Sequence, residues 1–303
     1  MITEEQTEML TTLAGGLAMG VRTPVLRTPD ELGIDYEDVE FQTADGVTVK
    51  GWFMPVEGSD KLIISNHFSP GNVYGFAGHL EGLEFAGGFE VNFLPRYKAL
   101  HDAGYNVLTY SLRNHGDSGE AENGLSGVGY YEWQEVLAAF EYARSRPETA
   151  DNDVSLYSMC MGANSTLNAI DKHPEAFADV KSMIVVAPLR GRTNIERNLE
   201  AMQIDADEGM AAFEEIYTGI SGMTVDDHDI IPKAANINTP VYFLQVRDDM
   251  NSRWTDVQEM FDSVPVEDKK IEYVEGTPWR FKGYTHHSEH PEAMVEWFDA
   301  HTK

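Results

Sequence analysis

The chain has 303 residues, 42% of them hydrophobic, which is enough to bury one large core, and no Pro/Gly/Ser-rich linker divides it. Its formal net charge of −29, from 51 Asp and Glu against 22 Lys and Arg, repels nucleic acid and anionic membranes and points to a small or neutral partner. The single cysteine excludes an intramolecular disulfide, and the spacing of Cys and His suggests no structural zinc.

Residues 1–20 open with Glu4, Glu5 and Glu8 before a short apolar stretch, the wrong charge for a signal peptide. No run approaches the roughly 18 apolar residues of a transmembrane helix. A cytoplasmic protein without a membrane partner is expected, with an acidic surface that also suits a high-salt interior, where self-repulsion is screened.

Residues 37–55 alternate as Val39, Phe41, a turn at Ala44-Asp45-Gly46, then Val47, Val49, Gly51 and Phe53, the period of an antiparallel hairpin. The pattern then changes to short apolar runs at 62–64, 107–110, 154–157, 183–186 and 241–244, the mark of parallel strands buried on both faces. A more polar run at 270–274 suits a strand near an edge. Helical patterns fall between these runs, at 97–103, 131–146, 163–172 and 292–301. Strand and helix alternating after a leading hairpin predict an α/β fold with a mostly parallel, doubly wound sheet, in one domain spanning residues 1–303.

Two segments exceed ordinary loop lengths. Residues 69–95 are rich in Gly and aromatics, and residues 189–238 contain an acidic helical pattern around 207–217. Long insertions in a compact domain serve as lids or binding loops, or else pack on the core or form a homo-oligomer contact.

The densest chemical signal is Ser158-Met159-Cys160-Met161-Gly162, which places the cysteine between small residues two positions either side. A nucleophile on a tight strand-to-helix turn leaves no room for larger side chains there. Ser158 as the nucleophile would put Leu156 at the first small position, which the turn disfavours. No glycine-rich phosphate loop accompanies a strand-turn-helix unit, so no nucleotide or other cofactor is expected.

With these elements in place the chain resembles the α/β-hydrolase fold superfamily from Tyr36 onward. The resemblance is carried by the elbow, by Asn66-His67-Phe68 after the third strand, by Leu112 to Ser118 after the fourth, by Arg247-Asp248-Asp249 after the penultimate strand, and by histidines after the last. A cysteine at the elbow is similar to the dienelactone-hydrolase branch. The resemblance implies a sheet of the α/β-hydrolase type with a helical lid at 189–238, and the chain order nucleophile, acid, histidine.

On that basis Cys160 is the expected nucleophile, its thiolate favoured by the helix N-terminus that follows. The family's spacing selects Asp249 over Asp248 as the acid that holds the imidazole. For the base, Gly283 to Pro291 offers His286, then His287, with His290 beside a helix-starting proline. The oxyanion hole implied is the N–H of Met161 with that of Phe68 or Ser69. Met159, His67 and His79 are expected to border the pocket. His67 and His115 lack a third ligand at metal spacing, so hydrogen bonding is expected of them and no metal.

The function implied is hydrolysis of a carboxylic ester, lactone or thioester (an EC 3.1-type enzyme) on a small-molecule acyl substrate, through a Cys-His-Asp triad and an acyl-thioester intermediate. An acyltransferase shares every residue of that scheme, and a non-catalytic binding protein on the same scaffold is the third reading.

Overall fold

The structure is a computed structural model that describes residues 2–302. Strands β1 (Glu37–Gln42) and β2 (Thr48–Met54) form the expected hairpin, pairing antiparallel from Glu37 opposite Phe53 to Gln42 opposite Thr48. Then follow β3 (Lys61–Asn66), β4 (Gly75–Phe76), β5 (Val91–Asn92), β6 (Asn106–Tyr110), β7 (Asp153–Met159), β8 (Met183–Val186), β9 (Val241–Val246) and β10 (Lys269–Val274). Eight of these make one sheet in the order β1-β2-β6-β3-β7-β8-β9-β10, parallel from β6 onward. The apolar runs read from the sequence occupy its centre: every residue of β6, β8 and β9 is buried. The polar run forms β10 at the edge, where all six residues are only half-buried. Because β3 and β7 lie side by side in mid-sheet, their carboxyl ends bring Asn66 opposite Ser158, and the site grows at that point.

Nine α-helices accompany the sheet among the described residues: α1 (Glu4–Ala18), α2 (Leu94–Asp102), α3 (Trp133–Ser145), α4 (Met161–Lys172), α5 (Gly191–Met202), α6 (Ala206–Ser221), α7 (Trp254–Ser263), α8 (Phe281–Glu289) and α9 (Glu292–His301). None is long and apolar enough to cross a membrane. Helices α1, α5, α7 and α8 were not legible as such, and two of them matter here. Helix α1 begins with a Thr3 capping box and packs on α6 and α5, where Leu10, Ala14, Leu199, Phe213 and Tyr217 form a second apolar core apart from the sheet. The N-terminal segment therefore belongs to the same helical cap as residues 189–238. Helix α8 runs through the histidine-rich segment that reads as a loop, with consequences for the site.

Residues 112–118 act as an anchor. Fully buried Arg113 donates to Glu135 at 2.7 Å, Asp45 at 2.9 Å and Glu122 at 3.0 Å, tying the turn after β6 to α3 and the hairpin. A buried guanidinium needs such partners to offset its desolvation.

Candidate active site

Cys160 sits between β7 and α4 with φ 47° and ψ −111°, a backbone conformation that costs a non-glycine residue on the order of 1–3 kcal/mol. The turn is held by neighbours on both sides: Cys160 N–H donates to the Val186 carbonyl at 2.9 Å, and its own carbonyl accepts from Asn164 N–H at 2.8 Å. The requirement for small flanking residues is met physically. A Cβ on Gly162 would lie 2.6 Å from backbone atoms of Asn66 and His67, and Gly162 N–H donates to the His67 carbonyl at 3.0 Å. Ser158 is fully buried and hydrogen-bonds Asn66 and Thr166, both at 2.8 Å, which removes it from any encounter with substrate.

Cys160 opens on a cavity of about 330 Å³. Both insertions contribute to its wall, Ser69, Pro70 and Phe85 from one and Leu189 and Asn198 from the other, with Met250, Asn251, Trp279 and Phe281 completing it. Phe85, Met250 and Trp279 are exposed at 65%, 46% and 37%, so the rim is apolar and open to solvent. Among the described residues no protein acceptor takes the N–H of Met161, at the start of α4, or of Ser69, beside the cavity. The N–H of Phe68 likewise has no protein acceptor among the described residues, and its buried ring stacks on Tyr284 with centroids 4.2 Å apart.

Asp249 is buried behind the site, whereas Asp248 is exposed. Its Oδ1 accepts from Asn251 N–H at 2.8 Å, and its Oδ2 accepts from Ser252 Oγ at 2.7 Å, Gln245 Nε2 at 3.1 Å and Arg280 Nη1. The partner of the acid is thus a guanidinium. Arg280 is 3% exposed, and each of its N–H groups has an acceptor. Nη1 also meets Ser252 Oγ at 3.2 Å, Nη2 donates to the carbonyls of Ala187 and Pro188, and Nε donates to the Tyr284 hydroxyl at 2.6 Å. Ala187 holds φ 44° to aim that carbonyl, a further left-handed residue at the end of a strand. Burial opposes the charge of Arg280, but Tyr284 and Asp249 outweigh it and raise its pKa further.

Tyr284 lines the same cavity as Cys160. Burial raises its phenol well above the ordinary range despite Arg280. At neutral pH it is therefore a protonated hydroxyl.

Among the described residues no imidazole lines this cavity. Along α8, two residues are about 200° of rotation, so with Tyr284 facing the cavity His286 faces away. His286 Nε2 pairs with Glu272 on β10 at 3.3 Å. His287 is fully buried between Tyr157, at 3.0 Å, and Tyr242, at 3.4 Å, and burial holds its pKa well below 6.5. His290 is exposed beside His286.

The three residues expected to border the pocket lie elsewhere. Met159 is fully buried, its sulfur accepting from Arg96 at 3.3 Å, and His79 is exposed in the insertion. His67 is buried, donating through Nδ1 to the Phe68 carbonyl at 2.7 Å and accepting Leu112 N–H at Nε2, 2.8 Å away. Burial, with His115 nearby, lowers its pKa to about 3, so it is a neutral brace for the loop beside Cys160. His115 in turn bonds Ser69 Oγ at 3.0 Å.

Three site residues escaped the sequence reading. Arg280 and Tyr284 are spaced i, i+4, the mark of neighbours on one helical face, but they precede the histidines that drew attention. Arg96 is fully buried under the elbow with no carboxylate partner among the described residues. Its guanidinium lies over the rings of Tyr157 at 4.2 Å, Phe93 at 4.3 Å and Tyr97 at 5.1 Å.

No protein-family profile and no curated protein sequence matches the chain. Solved structures do. The esterase Pf2001 of Pyrococcus furiosus superposes with a TM-score of 0.70 at 19% identity, covering 95% of this chain and 99% of that one. The α/β hydrolase GrgF from Penicillium sp. sh18 gives 0.62 at 18%, covering 89% and 99%. Est1E from Butyrivibrio proteoclasticus, solved with ferulic acid bound, gives 0.59 at 15%, covering 87% and 99%. The chain has the α/β-hydrolase fold.

Proposed function

We propose that this protein cleaves carboxylic esters or thioesters by covalent catalysis at Cys160. The thiolate attacks the acyl carbon, the leaving group departs, and water hydrolyses the resulting acyl-thioester enzyme. The observation that carries the reading is the strained elbow at Cys160, which presents the sulfur to the cavity beside the free N–H groups of Met161 and Ser69. Of the similar structures, Pf2001 is an esterase and GrgF an α/β hydrolase, which supports the reading at the level of fold. The apolar wall suits an acyl group with an aliphatic or aromatic body. Arg280 has no donor to spare, so a substrate carboxylate finds no partner there and the acyl group is neutral.

Iodoacetamide tests the assignment. At neutral pH it should label Cys160 before denaturation and abolish turnover of short p-nitrophenyl esters. Full turnover by protein carrying a labelled Cys160 would overturn it.

A further inference from the structure

We propose that Tyr284 is the proton-transfer residue of this site and that Arg280, clamped by Asp249, is the residue that positions it. The inference rests on the reading of Cys160 as nucleophile and adds the identity of its proton partner.

Four observations converge. Tyr284 lines the same cavity as Cys160 while only 1% exposed. Its oxygen accepts the Nε–H of Arg280 at 2.6 Å, which directs its own hydrogen away from the guanidinium, toward the sulfur and the cavity. Its ring is fixed between Phe68, stacked at 4.2 Å, and Phe281, edge-on at 5.3 Å, so the hydroxyl has little freedom to leave. Finally, Asp249, Ser252 and the carbonyls of Ala187 and Pro188 hold Arg280 on its other edges, at the cost of a left-handed Ala187. So many contacts on one guanidinium make sense if its Nε must stay on the phenol.

The steps balance. The thiol loses its proton to solvent, and the thiolate accepts a hydrogen bond from Tyr284. The sulfur then forms a bond to the acyl carbon, and the carbonyl oxygen takes up negative charge opposite the Met161 N–H. As the intermediate collapses, the bond to the leaving oxygen breaks and that oxygen takes the phenolic proton. The tyrosinate left behind faces the fixed cation of Arg280. A water molecule attacks the acyl-thioester, giving its proton to the tyrosinate, and the carboxylic acid leaves with the thiolate and the phenol restored. One residue thus serves as acid and then as base, as an imidazole does in the usual arrangement.

The test uses the whole protein and two classes of ester. Tyr284→Phe keeps the ring packing and removes only the hydroxyl. With p-nitrophenyl butyrate, whose leaving group departs without a proton, the variant should still release about one equivalent of nitrophenol in a burst, at a rate within roughly tenfold of the wild type. Steady-state turnover of that ester should stay within the same range, because no tyrosinate forms when the leaving group departs without a proton, whereas turnover of ethyl butyrate, whose leaving oxygen takes the phenolic proton, should fall on the order of 10²–10⁴-fold.

Turnover of the two esters falling by one common factor, or neither falling, would overturn the proposal. Absence of a Cys160 acyl adduct in the wild type would overturn the nucleophile itself. An adduct in the wild type with unchanged Tyr284→Phe kinetics would overturn only the role of Tyr284.

Discussion

Two segments meet at the Cys160 sulfur, and they differ in how they are specified. The elbow at residues 158–162 is local: five consecutive residues, a strand before and a helix after, and a glycine that only a bare backbone can replace. The segment at residues 275–289 is set by tertiary contacts. Its Arg280 depends on Asp249, Ser252 and Ala187, from two other strand ends, and its Tyr284 depends on Phe68 from a third. A tight turn can thus be read from spacing, whereas the side chains that surround it are known only when the strand ends are brought together.

Replacing Cys160 by Ser breaks the comparison most sharply. A hydroxyl needs a neutral base to become a nucleophile, and a protonated phenol is not one, so esterase turnover should fall on the order of 10³-fold or more. A serine variant within tenfold of the wild type would mean that a base stands at the elbow. Next in size, Arg280→Met leaves the Asp249 carboxylate buried without its cation and should cost about 3–5 kcal/mol in urea unfolding. An unchanged midpoint would show that the second segment is not held as described.

A smaller effect reports on His67, which braces the loop beside the elbow. Its folded-state pKa of about 3 lies below the ordinary 6.5, so the unfolded chain binds the proton first. Its stabilisation is complete above pH 6.5 and is lost as the pH falls from 6.5 toward 3, at about 1.4 kcal/mol per pH unit. His287, also lowered, acts in the same direction. Urea midpoints should therefore drop between pH 7 and pH 5. A flat profile there would contradict the buried, neutral imidazoles.

Much of the scaffold was legible because its signals are local. The hairpin, the buried apolar runs and the polar edge strand all follow from side-chain period and composition. Cys160 was singled out as the centre of a tight turn, which the structure has at that place, and Asp249 by its distance past a strand, where it meets Arg280 and not the expected imidazole. Helix α1 was missed because its apolar face, Leu10 and Ala14, is satisfied by α6 rather than by the main core. Helix α8 was missed because Gly283 and three histidines read as a loop. In fact Gly283 is buried against Val246 and Val186, and the helix is stabilised by packing rather than by propensity. Once α8 is a helix, His286 must turn away as Tyr284 turns in, and no inspection of residue types alone reveals that.

The central claim is that the sulfur is served by a phenol and not by an imidazole. Its most direct test is turnover of p-nitrophenyl butyrate by His286→Ala and His290→Ala, both outside the cavity and each folded as judged by its urea midpoint. Turnover by each variant is expected within about twofold of the wild type, as for substitutions that touch no reacting group. A loss of around 10³-fold or more in either variant, the scale on which a proton-transfer residue acts, would contradict the account.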